Sequence, residues 1–156
     1  MDIVKLEIPI GTTEIKEREY TCNQIITFLE IPNTVKTIGL RAFALCPNLK
    51  VIIIPSSVEK IDTRAFYGDS AYIYIHKGVK FIGEEAFSNT SKVYFEGDKD
   101  SFTGYYERFN ISDYPDSYHR GPSMGQETLE VFFYQERTPI TYNVPFEEFL
   151  KLIKNA

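Results

Sequence analysis

The chain has no tryptophan, two cysteines, two histidines and two methionines in 156 residues. Each shortage excludes something. Cys22 and Cys46 are too few for a disulfide framework and fit a reducing compartment. A structural zinc would need about four ligands in tight spacing, so the two thiols read as small buried hydrophobes. His76 follows a short apolar run and reads as a solvent-facing turn residue. His119 lies near Asp113, Asp116 and Ser117. Hydrolysis by Ser-His-Asp needs a positioned nucleophile and oxyanion donors, and three residues of one loop supply neither. There is no glycine-rich phosphate cradle, and the adjacent pair Glu84-Glu85 reads as a solvated face. No catalytic residue, cofactor or metal ligand is expected, so the chain reads as non-enzymatic.

Long apolar runs and positive charge are also missing. Nothing approaches the roughly 18 apolar residues of a membrane helix. The net charge of -5 argues against direct contact with nucleic acid, whose phosphates reward a basic patch. The start, Met1-Asp2-Ile3-Val4-Lys5-Leu6-Glu7-Ile8-Pro9, lacks the basic-then-apolar pattern of a secretion signal. A cytoplasmic location is expected.

What is abundant is aromatic residues, 11 Tyr and 12 Phe, and repetition. Ile31-Pro32, Val35, Ile38-Gly39 and Ala42-Phe43 return as Ile54-Pro55, Val58, Ile61-Asp62 and Ala65-Phe66. They return again as Ile75-His76, Val79, Ile82-Gly83 and Ala86-Phe87. The period is 23 and then 21 residues. A fixed period of this size marks a solenoid, whose units bury their apolar faces against one another. A worn copy precedes these, with Ile8-Pro9, Ile15 and Tyr20 each 23 residues ahead of their counterparts. Residues 1–23 are expected to form an N-terminal capping repeat, with Thr12 and Glu19 in place of apolar residues.

Each unit opens on a β-branched run, and Pro32 or Pro55 stops it because proline cannot donate to a ladder. The segment with Val35 and Ile38, or its counterparts, is expected to turn the chain. Short helical turns are expected over 40–45, 63–67 and 84–88, with Phe43, Phe66 and Phe87 stacked inside. Strand side chains alternate. With Leu29 and Ile31, Ile52 and Ile54, Ile73 and Ile75 facing inward, the outward stripe is Phe28, Glu30, Val51, Ile53, Tyr72, Tyr74 and Tyr94. Lys5, Glu7 and Glu30 stand at one end of it.

Residues 98–128 read as a long loop with aromatics at Phe102, Tyr105, Tyr106, Phe109 and Tyr114. Residues 129–156 read as a cap: a strand over 129–136, a turn, a second strand over 140–144, and a helix over about 145–154. Phe146, Phe149, Leu150 and Ile153 mark one buried helix face, and Pro145 suits the first helical position. The helix closes the last coil or makes a weak homodimer.

The joint pattern of Ile31-Pro32, Val35, Ile38-Gly39, Ala42-Phe43 and Cys46 resembles the BspA-like leucine-rich repeats, over roughly residues 6–97. The resemblance implies an α/β solenoid of parallel stacked strands with minimal helices and a hairpin-and-helix cap. The leading functional expectation is a protein-protein interaction module that binds a partner through the seven-residue stripe. The competing expectation is that the loop or the cap covers that stripe. Two further readings stay open. One is a small acidic stoichiometric inhibitor of a host enzyme, carried by a virus or mobile element. The other is a fragment of a cell-surface adhesive protein.

Overall fold

The computed structural model describes residues 3–88, 90–102, 104–105 and 139–155. The loop beyond Tyr105 with Phe109 and Tyr114, the strand expected over 129–136 and the group around His119 lie outside the described residues.

Two five-stranded parallel sheets form the walls of a solenoid. The larger contains β2 (Phe28–Glu30), β4 (Val51–Ile54), β6 (Tyr72–Ile75), β8 (Lys92–Phe95) and β10 (Ile140–Thr141), stacked in that order. The smaller contains β1 (Glu14–Ile15), β3 (Thr37–Ile38), β5 (Lys60–Ile61), β7 (Phe81–Ile82) and β9 (Gly104–Tyr105). Register follows the repeat: Leu29 lies beside Ile52, Ile52 beside Ile73, and Ile73 beside Val93. The segments expected only to turn the chain thus build a second sheet of their own, two residues per coil. So short a strand carries almost no periodic signal.

The third wall departs from the expected helical turns. Residues 40–45, 63–67 and 84–88 contain no helix. Arg41 and Leu45 take left-handed φ values of 54° and 57°, as Arg64 does at 54°, which a right-handed helix cannot include. Alternate amides instead reach the next coil: Arg41 to the Thr63 carbonyl, Phe43 to Ala65 and Leu45 to Tyr67. The amides between them close turns within the coil, Ala42 to Gly39 and Ala44 to Arg41. Backbone polar groups are thereby satisfied, and the coils stay at a strand's spacing on this wall as well.

That spacing sets the core. Tyr20, Phe43, Phe66 and Phe87 stack with centroids 5.2, 5.4 and 6.0 Å apart and planes within 10° of parallel. Ile15, Ile38, Ile61 and Ile82 form a second interior ladder, and Leu29, Ile52, Ile73 and Val93 a third; all are buried. Gly39 and Gly83 are required by close approach. A Cβ on Gly83 would stand 2.4 Å from the Thr63 amide nitrogen of the preceding coil. The first coil buries Ile8 and Ile15 but leaves Ile3 and Ile10 largely exposed.

The C-terminal segment continues the larger sheet. β10 pairs in parallel with β8, Ile140 beside Val93. Asn143, at φ 58°, then reverses the chain, its amide bonding the Gly97 carbonyl. The helix α1 (Phe146–Lys154) follows. Pro145 stands one position before the helix, as its extended cap residue, and not at the first helical position. Glu147 and Glu148 in the first turn and Lys151 and Lys154 in the last complement the helix dipole.

Candidate functional site: the outer face of the larger sheet

The outward stripe of the larger sheet is two rows. Strand starts give Phe28, Val51, Tyr72 and Lys92; positions two residues on give Glu30, Ile53, Tyr74 and Tyr94. Neither row touches the solenoid core. Ile53 and Tyr74 belong instead to a separate apolar cluster with Val144 and Phe149, around which Phe28, Val51, Tyr72, Tyr94, Phe146 and Ile153 pack.

Here the expectation of an open stripe needs correction. Tyr74 is wholly buried and Ile53 is 6% exposed, because α1 lies over the second row. Phe149 meets the Tyr74 ring at 5.1 Å and the Tyr94 ring at 5.6 Å, and Phe146 meets Tyr74 at 5.1 Å. The Tyr74 hydroxyl donates to the Val144 carbonyl at 2.6 Å, pinning the segment that leads into the helix. Burial pushes the Tyr74 hydroxyl up to about 12, with Glu96 adding to it. The helix has nine residues, below the roughly 12–15 at which isolated helices become even marginal. Its order therefore comes from this seat.

The first row stays half-buried up to Tyr72, and Lys92 at its end is exposed. Phe28, Val51 and Tyr72 run along the sheet beside α1, about 10 Å end to end for two strand spacings. Lys5 lies over the Phe28 ring at 5.9 Å and bonds Glu30 at 3.2 Å. Lys92 lies over the Tyr72 ring at 5.4 Å. Between α1 and β6–β8 opens a cleft of about 540 Å³, with Tyr72, Lys92 and Tyr94 on the sheet side and Glu148, Lys151, Leu152 and Asn155 on the helix side.

Three of these were out of reach of the sequence pattern. Lys92 shares the outward parity of Tyr94, but a strand started at Val93 leaves it out. Lys151 and Leu152 belong to a helix outside the repeat, so no period places them.

His76 is not a solvent-facing turn residue. It is half-buried, 4.8 Å from the Tyr74 ring and 4.9 Å from the Phe146 ring, with Nδ1 3.6 Å from Glu96. It helps to hold the helix. Cys46 is buried, while Cys22 is exposed at a left-handed corner, φ 63°. Burial, followed by the neighbouring Asp69, pushes the Cys46 thiol up to about 12, so it stays protonated and inert. Among the described residues no group of His, Cys, Asp and Glu could hold a metal ion, and no helix is long and apolar enough to cross a membrane.

Compared with known proteins, residues 1–104 match the model for the BspA type leucine rich repeat region, in six copies. No curated protein and no solved structure gives a significant match.

Proposed function

From a chain that belongs to the BspA-type leucine-rich repeat family, a repeat module of the protein-interaction type, we infer that the partner surface is the outer face of the larger sheet together with the exposed flank of α1. One observation carries this: the face already holds an amphipathic aromatic segment in cis. α1 takes the row of Ile53 and Tyr74 and leaves Phe28, Val51 and Tyr72 half-exposed alongside. The same stacked strands that seat Phe146 and Phe149 offer a partner a second strip of matching chemistry. Rigid strands hold that strip in place before binding, which lowers the entropy lost on association. Aromatic anchors are the residue type that interface centres favour. Leu152, 44% exposed on α1, forms the opposite bank.

The test is Phe28→Asp combined with Val51→Asp. Both side chains lie outside the solenoid core, so the variant should melt within a few degrees of the parent. Proteins captured from an extract of the native cells should be lost from the variant. An unchanged captured set, with the fold intact, would overturn the assignment of this face.

A further inference from the structure

We propose that the cleft between α1 and β6–β8 receives the carboxylates of an acidic segment of a protein partner; this rests on reading the outer face as the partner surface. Among the described residues, the cleft gathers more donors than acceptors. Lys92 approaches from the sheet and Lys151 from the helix, both exposed, and neither is in an ion pair among the described residues. The hydroxyls of Tyr72 and Tyr94, both half-buried, form no hydrogen bond among the described residues. Elsewhere along this face the charge is already matched, since Lys5 is bonded to Glu30. Only Glu148 opposes the two lysines within the lining, and Asn155 adds a neutral amide. Two lysines without an ion pair and two phenols without a hydrogen bond among the described residues line this cleft, on a protein whose net charge is -5. This local reversal of sign selects an anionic ligand and steers its approach.

The shape narrows the class. The volume falls within the range of ligand pockets, but the cleft is open and continues through Tyr72 onto the apolar strip of Val51 and Phe28. A free anion would use the lysines and leave that strip bare. A peptide whose same-facing residues, at i, i+2 and i+4, are acidic at one end and apolar at the other uses both, because alternate side chains of an extended strand face the same way. Its carboxylates accept from Lys92, Lys151 and the phenols, in charge-assisted bonds stronger than neutral ones. Its apolar side chains lie on Tyr72 and Val51.

The experiment selects a randomised peptide library, displayed on phage, against the intact protein. The expected outcome is enrichment of sequences with Asp or Glu two residues away from Leu, Phe or Tyr. Binding of the selected peptides should weaken about tenfold in Lys92→Glu or in Lys151→Glu, equivalent to about 1.4 kcal/mol. It should also fall with rising salt. Lys36→Glu, on the far wall, is the charge-matched control and should bind as the parent does. Selection of neutral or basic peptides, absence of any enrichment, or indifference to both lysine substitutions would overturn the proposal. So would full competition by inorganic phosphate at millimolar concentration, which would mark a bare anion site. If Phe28→Asp with Val51→Asp abolishes partner capture while the two lysine variants leave it intact, the outer face stands and the acidic partner falls. If neither set of variants affects capture, both fall.

Discussion

The described residues pack into two apolar interiors on opposite sides of one sheet, and they are built by different rules. Inside the solenoid, Phe43, Phe66 and Phe87 stack because equivalent residues of successive coils are brought to a strand's spacing. Outside, Ile53, Tyr74, Val144 and Phe149 meet because one helix folds back over the sheet. The inner core is shared by every coil; the outer one depends on a single segment. Losing an inner residue removes a rung from a continuous stack, whereas losing an outer one releases a lid of nine residues and leaves the stack standing.

The largest effect expected is therefore at Phe66. Phe66→Ala should cost roughly 3–5 kcal/mol, enough to unfold a domain of ordinary stability. Urea titration followed by circular dichroism measures it, and a silent substitution would mean that the ladder is not structural. Phe149→Ala removes a side chain just as deeply buried, yet its effect on global unfolding is capped by the free energy of docking α1. We expect a smaller loss, about 2–3 kcal/mol at most. Amides of α1 should then exchange freely while those of β4 and β6 stay protected. If both sets lose protection together, the two interiors are one cooperative unit and the distinction fails.

Apolar burial has polar exceptions on both sides; Asp69, Glu84 and Ser91 are all buried. Asp69 is fully buried beside the inner core; one carboxylate oxygen accepts from the Cys46 amide at 2.8 Å and the other has no partner among the described residues. Burial pushes its carboxyl from 3.8 up to about 8, against the pull of the Cys46 amide. Between about pH 4 and 8 the folded chain thus keeps a proton that the unfolded chain has released. Stability from this group is fully present below the unfolded value and is lost as pH rises toward 8, by up to ~1.4 kcal/mol per pH unit. Asp69→Asn should flatten that slope while preserving the bond to Cys46. Urea midpoints across this range check it, and an equal slope in both proteins would contradict it. In the outer cluster the exception is the Tyr74 hydroxyl. Tyr74→Phe should cost the smallest amount, about 1 kcal/mol for one buried hydrogen bond, seen as faster exchange in α1.

The same division explains what the sequence revealed. Inward strand positions, the phenylalanine ladder and the outward parity of Phe28, Val51, Ile53, Tyr72, Tyr74 and Tyr94 were readable, because each recurs with the coil and recurrence becomes adjacency. The third wall was misread as helical because Ala-Phe between polar residues suits one helical turn. What decides otherwise is the left-handed backbone at Arg41, Leu45 and Arg64, where no glycine announces it. The burial of Ile53 and Tyr74 was open to two readings. The amphipathic pattern of Phe146, Phe149, Leu150 and Ile153 indicates that α1 buries one face, but only the fold shows against what, and it leaves Leu150 41% exposed. Lys92 and Lys151 come together from two elements with no common period.

The most direct measurement is hydroxyl-radical footprinting of side chains with and without a captured partner. If the outer face is the recognition surface, Phe28, Tyr72, Tyr94 and Leu152 lose reactivity on binding. Phe81 on the smaller sheet and Tyr67 on the third wall keep theirs. Protection of Phe81 or Tyr67 with Phe28 and Tyr72 unchanged would place the partner on another wall and contradict the account.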